Sequence, residues 1–254
     1  MTTTWDPAQY LRHADHRSRP FHDLVARIPI TPRHVVDLGC GPGNVTATLT
    51  GTWPHARIIG IDSSPEMIRA ARLDHPELRF EIGDIADYTP GDEDLLLSNA
   101  ALQWIPGHAD LFPAWIDALP VGGVLAFQVP ANFGSPSHTL LAETAGLARW
   151  AGRFDAVDRA SVPEPGEYLA RLGALGCTVD AWETTYHQVL QGGNPVLDWM
   201  LGTGLRPVLA ALTDPEDQEA FLSEYGAKLA RAYPTTTQGT VLPFRRIFVV
   251  ATKN

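Results

Sequence analysis

Two carboxylates, Asp37 and Asp62, flank a glycine-rich turn, and their types and spacing carry the clearest chemistry in this chain. In VVDLGCGPGN an apolar run of strand character ends at Asp37, Gly39, Gly41 and Gly43 follow at alternate positions, and an apolar helical pattern begins. Glycine is needed where a turn demands positive φ and where a ligand approaches bare main chain, so this strand, tight loop and helix read as a binding loop. Dinucleotide loops space their glycines G-x-G-x-x-G and aim a helix N-terminus at a pyrophosphate. Here the spacing is G-x-G-x-G, and a carboxylate at Asp37 would repel phosphate and suit a cationic ligand. A tight structural turn is the plainer reading of the glycines alone. Asp62 weighs against it, because it closes the next strand about twenty residues on, where α/β nucleoside sites place an acid for ribose hydroxyls.

The elements that must hold these acids alternate regularly. Strands are predicted at 57–61, 78–82, 94–98 and 124–129, with helices after the glycine loop at 45–49, from Ser63-Ser64-Pro65-Glu66 onward, and at 111–119. Ser63 and Glu66 have the spacing of a capping box. Asp84 either caps a turn or serves a ligand, and Met67 is either core or a ligand contact. Strand and helix alternating in this way imply a parallel sheet with right-handed crossovers and ligands at its C-terminal strand ends. Ahead of the sheet, Asp6-Pro7 starts a short helix, and Ser18 caps another whose apolar stripe is Phe21, Leu24, Val25 and Ile28. The crowded segment between them, with His13, His16, Arg12, Arg17 and Arg19, reads as a charged turn or an anion contact; two histidines without a further ligand make no metal site.

After the fifth strand the alternation breaks. A helix at 140–150, another ending at Gly176, a strand at 178–190, helices from Asn194-Pro195 and Asp214-Pro215, and a last strand at 241–251 complete the chain. The segments near 132–163 and 191–239 read as helical cap insertions on a single domain spanning 1–254, roofing the cofactor end of the sheet, where acceptor specificity would be written.

Composition narrows the partners. A net charge of −10 argues against nucleic acid as a partner, which requires a basic face, and is equally unsuited to an acidic membrane. The first residues show no leader pattern, and no run of eighteen apolar residues occurs, so a cytoplasmic protein is expected. Cys40 and Cys177 have neither disulfide nor zinc spacing. All but two of the nineteen basic residues are arginine, whose planar fork suits carboxylates. No Ser/His/Asp or Cys/His arrangement stands out, so no catalytic residue and no metal is assigned.

The glycine loop with Asp62 resembles the class I S-adenosylmethionine (SAM) methyltransferases. VDLGCGPGN, GIDSSPEM, SNAALQWIP, TTYHQ, DWMLGTGLRP and FRRIFVVA together resemble, in order, the trans-aconitate 2-methyltransferase family. The resemblance implies a Rossmann-like α/β fold with a mostly parallel seven-stranded sheet, helices on both faces and a helical cap. It implies SAM as cofactor, touching Asp37, Gly39, Gly41, Asp62, Ser63, Asp84, Ile85 and Asn99. It also implies methyl-ester formation on one carboxylate of trans-aconitate, a small polycarboxylate. Arg17, Arg19, Arg206 and Arg246, with Gln103, Tyr186 and Trp199 as neutral partners, are the candidate acceptor contacts. FRR replaces the family's F-P-R, which leaves open whether Arg245 or Arg246 faces the pocket. A carboxylate acceptor is ionised at neutral pH, so the reaction needs positioning and no general base. Methylation of another small acceptor, and SAM binding without turnover, stand as the alternative readings.

Overall fold

The computed structural model describes residues 14–154 and 161–254, with side chains from residue 18 onward. Helix α1 (Ala14–Val25) begins four residues before Ser18 and carries Pro20 within it, and Ile28 lies beyond its end. Pro20, Phe21, Leu24 and Val25 are buried, and the helix packs on the sheet at the fifth strand. The Asp6-Pro7 helix start falls outside the described residues.

Strands β1 (His34–Leu38), β2 (Arg57–Asp62), β3 (Arg79–Ile82), β4 (Leu95–Asn99) and β5 (Val124–Pro130) form the parallel part of the sheet. β4 is buried at every position, as its continuous apolar run requires when helices cover both faces. The glycine loop is followed by a 3-10 turn (Thr46–Thr48) and a one-turn α2 (Leu49–Thr52), a tighter start than the regular helix expected there. Helix α3 (Pro65–Asp74) is capped by Ser64, whose hydroxyl accepts from the Met67 N–H at 3.3 Å. The cap is therefore one residue later than the Ser63 expected from the sequence. Its inner face, Ile68 and Ala71, meets Phe80 and Cys40, and Met67 is buried with them at 3% exposure. Helix α4 (Phe112–Ala118) precedes β5.

Helices α5 (Pro136–Ala145) and α6 (Pro165–Ala174) come next, then β6 (Cys177–Leu190), α7 (Pro195–Leu201), α8 (Arg206–Ala211), α9 (Pro215–Ala232), the two-residue β7 (Thr235–Thr236) and β8 (Gly239–Lys253). The sheet order is β3-β2-β1-β4-β5-β8-β6, with β7 paired to β8 off this path. β8 runs antiparallel to β5, with Gln128 opposite Phe248 and Pro130 opposite Arg246. A path of seven strands is thus present with one short extra strand, on a mostly parallel sheet.

The chain divides into two compact units. One holds β1–β5 with α1–α4 and α6 and the adjoining ends of β6 and β8. The other comprises Ala131–Ser161 and Thr185–Arg245. Its core gathers Leu141, Trp150, Trp199, Phe221, Tyr225 and Phe244. Helix α5 starts at Pro136 and stops at Gly146, earlier than the 140–150 helix expected. Ser135 makes no side-chain cap bond; instead the Ser137 N–H donates to the Tyr233 hydroxyl at 3.0 Å, and the Tyr225 hydroxyl donates to the Ser137 carbonyl at 2.7 Å. Asp214 caps α9 as expected, through the Glu216 N–H. Asn194 instead donates its amide to the Gly226 carbonyl at 2.9 Å, tying the start of α7 to α9.

Candidate functional site

The site is built from the C-terminal ends of β1, β2 and β4. Gly39, Gly41 and Gly43 all have positive φ, between +57° and +80°. A Cβ on Gly39 would lie 2.2 Å from the Ala101 Cβ, and one on Gly43 would lie 2.6 Å from the Phe80 ring. These two glycines are needed for close packing. A Cβ on Gly41 would meet nothing within 4 Å, so this is the glycine that leaves main chain open to a ligand. Ile85 lies beside the same turn, its Cδ1 3.3 Å from the position of a Gly39 Cβ.

Asp37 is 1% exposed. Its Oδ2 accepts from the Thr46 hydroxyl at 2.5 Å, while Oδ1 is buried with no hydrogen-bond partner. Burial pushes its carboxyl up to about 7; the Thr46 bond works the other way, and the nearby Asp62 charge adds to the rise. A buried carboxylate oxygen without a donor is costly, and a cation placed beside it would recover that cost. Asp62 Oδ2 accepts from the Gly41 N–H and Oδ1 from the Ser64 N–H, each at 2.9 Å. Burial raises its pKa and those two bonds oppose the rise. Each oxygen keeps a further lone pair, enough for a pair of vicinal hydroxyls. Ser63 is exposed between Asp62 and the cap. Asp84 is exposed and accepts from the Ala86 N–H at 2.9 Å, so it does cap a turn. The cationic and ribosyl ends of SAM fit this acid pair and its open glycine.

A second polar cluster spans β4, β5 and β8. The Gln128 amide nitrogen donates to Asn99 Oδ1 at 2.6 Å, and an Arg246 guanidinium N–H donates to Gln128 Oε1 at 2.9 Å. All three side chains are at most 8% exposed. Arg246, rather than Arg245, is therefore the arginine turned into the sheet; Arg245 uses its main-chain N–H to donate to Asn132 Oδ1 at 2.7 Å. Beyond Asn99 the chain turns sharply at Ala100, a non-glycine residue at φ +55° whose N–H donates to the Gln128 carbonyl at 2.9 Å. Gln103 donates to the Ala100 carbonyl at 2.6 Å and has a buried, unpartnered Oε1. Strain at Ala100 and an orphaned amide oxygen three residues later mark this segment as shaped for something other than stability.

Of the remaining candidates, Arg19 is exposed on α1 and 3.9 Å from Asp23. The Arg17 side chain lies outside the described residues. Tyr186, Trp199 and Arg206 belong to the other unit: Tyr186 and Trp199 are buried, Trp199 lies 5.3 Å from the Phe244 ring, and Arg206 is half-buried as the first residue of α8. That unit also has an open groove of about 560 Å³ along α9, lined by Asn194, Leu197, Gln218, Glu219 and Leu222. Among the described residues no basic side chain lines it, which does not suit a polycarboxylate. Sequence reasoning missed Gln128 altogether, and its only signal was one amide inside the apolar strand VLAFQVP.

A methyltransferase domain family matches residues 35–123. A protein of Streptomyces avermitilis named trans-aconitate 2-methyltransferase is 55% identical over 98% of this chain and 97% of its own length. One of the same name from Rhodococcus jostii is 50% identical over 97% of this chain and 98% of its own. Among solved structures, the YcgJ protein of Bacillus subtilis has the same fold, with a TM-score of 0.58 at 14% identity, covering 94% of this chain and 99% of that one. With 97% or more of each chain covered at such identity, this chain belongs to the trans-aconitate 2-methyltransferase family.

Proposed function

We propose that the protein transfers the methyl group of SAM to one carboxylate of trans-aconitate, forming a monomethyl ester. The observation that carries this reading is the 55% identity, over 98% of the chain, to a relative of that name. Bound SAM supplies a methyl group on a sulfonium, an electrophile that an oxygen nucleophile can take in line. The protein's part is to bind and orient. Asp62 holds the ribose hydroxyls, Asp37 and the main chain at Gly39 and Gly41 take the cationic end, Ser63, Asp84 and Ile85 flank the base, and Asn99 lies at the far side of the loop. The acceptor carboxylate is already ionised, so no side chain removes a proton. Proximity and orientation supply the rate.

Arginines hold the acceptor's other carboxylates against a protein whose net charge of −10 repels a trianion at long range. Arg206 is the leading candidate, Arg17, Arg19 and Arg246 come behind it, and Gln103, Tyr186 and Trp199 complete the polar and apolar contacts. The segments near 132–163 and 191–239 carry acceptor specificity. The enzyme works in the cytoplasm, on a small molecule, without nucleic acid, membrane or protein partner. Incubation with labelled SAM and a panel of small polycarboxylates, read by mass spectrometry, tests it. A methyl ester on trans-aconitate ahead of the other acids is expected. Labelled product only on phenols or amines, or none at all, would sink the reading.

A further inference from the structure

Three buried polar side chains on three neighbouring strands form a chain whose direction is fixed by its last member. Arg246 has only N–H donors, so the atom it meets on Gln128 must be the amide oxygen. The Gln128 amide nitrogen is then the donor toward β4, and the atom it meets on Asn99 must be an oxygen as well. Asn99 is in turn held with its own amide nitrogen, Nδ2, turned away from Gln128. The guanidinium on β8 thus determines which end of an amide is presented two strands away, at the tip of β4 beside the glycine loop. Gln128 links the two directly, bonded to Asn99 on one side and to Arg246 on the other. It is fully buried, and its main-chain oxygen also receives the N–H of strained Ala100, so neither its side chain nor the turn after Asn99 has freedom to reorganise.

We propose that Gln128 is a positioning residue that orients Asn99 to present an N–H donor to a carboxylate. This rests on the methyltransferase reading, in which two carboxylates come to the site, one on the amino-acid end of SAM and one on the acceptor. A carboxylate offers only lone pairs, and an amide turned the other way would oppose it with a second acceptor. The Gln128 oxygen is also one of the hydrogen-bonding partners that a buried cation such as Arg246 requires.

The test uses Gln128→Glu and Gln128→Met in the full chain. Glutamate gives Arg246 a charged partner, so the fold should hold its thermal midpoint, but it can only accept, so Asn99 must turn round and donate into it. Asn99 Oδ1 then faces the ligand. For Gln128→Glu the expected result is a loss of about 30-fold or more in kcat/KM with an unchanged or raised midpoint. A rise confined to KM for SAM identifies the cofactor's carboxylate, and one confined to KM for trans-aconitate identifies the acceptor's. Gln128→Met keeps the shape and ties neither neighbour, so it should lose less, about fivefold, in the same constant. Equal losses in both variants, or wild-type constants in Gln128→Glu, would overturn the relay. Should Gln128→Glu fail to fold by circular dichroism, buried pairing of position 128 with Arg246 is wrong and the relay falls with it. Should the wild-type chain methylate none of the acids, the reaction fails separately. The relay is then read by calorimetry: weaker binding of SAM or trans-aconitate to Gln128→Glu supports it, and unchanged binding of both overturns it.

Discussion

The ends of β1 and β2 and the ends of β4, β5 and β8 belong to one sheet yet offer opposite chemistry. The first pair carries Asp37 and Asp62, groups that can only accept while ionised, one of them with a buried oxygen lacking any donor. The second carries a chain that ends in donors, running from Arg246 through Gln128 to Asn99. A ligand that is cationic and hydroxylated at one end and anionic at the other would meet acceptors on the first side and, on the relay proposed above, a donor on the second. The seam between them is the contact of Gly39 with Ala101, two residues past Asn99. The comparison teaches that polarity at the site is set strand by strand, with a tight main-chain crossing to keep the two halves in register.

The seam is where that contrast breaks most easily. Gly39→Val would put its Cβ 2.2 Å from the Ala101 Cβ at a φ of +80°, and overpacking together with left-handed strain should cost about 3 to 5 kcal/mol. Urea denaturation should show a midpoint far below wild type. An unchanged midpoint would mean that the loop and the Ala101 segment do not meet.

Next in size, Asp62→Ala tests the accepting side alone. Loss of charge-assisted bonds to the ribose should weaken SAM by about 2 to 3 kcal/mol in calorimetry. The same dissociation constant in the variant would remove Asp62 from the cofactor site.

Asp37 sharpens the comparison through pH. Its folded carboxyl titrates at about 7 against an ordinary value of 3.8. A raised acid pKa means that the folded state holds the proton longer than the unfolded chain. Stability from this group is therefore undiminished below the unfolded value and falls as pH rises toward 7. Between pH 5 and 7.5 the wild-type chain without SAM should lose about 2 kcal/mol that Asp37→Asn does not lose, with the gap levelling above pH 7. A cation bound beside Asp37 favours its ionised form, so SAM affinity should rise with pH up to about 7 and binding should release a proton. Parallel stability curves for the two proteins would contradict this.

The smallest expected effect is an absence of slope. At saturating SAM and trans-aconitate the rate should stay nearly flat from about pH 6 to 8.5, because the acceptor and the arginines keep their charges. A tenfold rise per pH unit without loss of fold would show that a proton is removed during catalysis, against the carboxylate mechanism.

The accepting side was legible because main-chain demands leave marks in residue type: alternate glycines, an acid at the close of β1, and another at the close of β2. The adjacent serines at 63 and 64 blurred the cap by one position, since either could have accepted from the first turn. Helix α5 was placed too late because its apolar pattern continues past Gly146 into Leu147 and Trp150, which pack on its core from a turn rather than a helix. The donating side was only half legible. Asn99 and Arg246 were candidates through resemblance, but Gln128 has no spacing to announce it, and its partner lies 118 residues away in sequence. Pairings of that kind depend on strand order, which local periodicity does not contain.

That strand order also bears on how the fold is reached. β8 is made after β6 yet lies between β6 and β5 in the sheet. While the chain is being synthesised, β6 is complete before the neighbour that joins it to the rest exists, and β5 has an open flank for the same interval. Both expose rows of unpaired main-chain groups, the kind of edge on which chains pair wrongly with one another. The final strand closes both edges in one insertion and delivers Arg246 to Gln128 in the same event. Assembly of the sheet and installation of the buried cation are one late step, and damage to β8 would be felt first as aggregation during production and only then as lost catalysis.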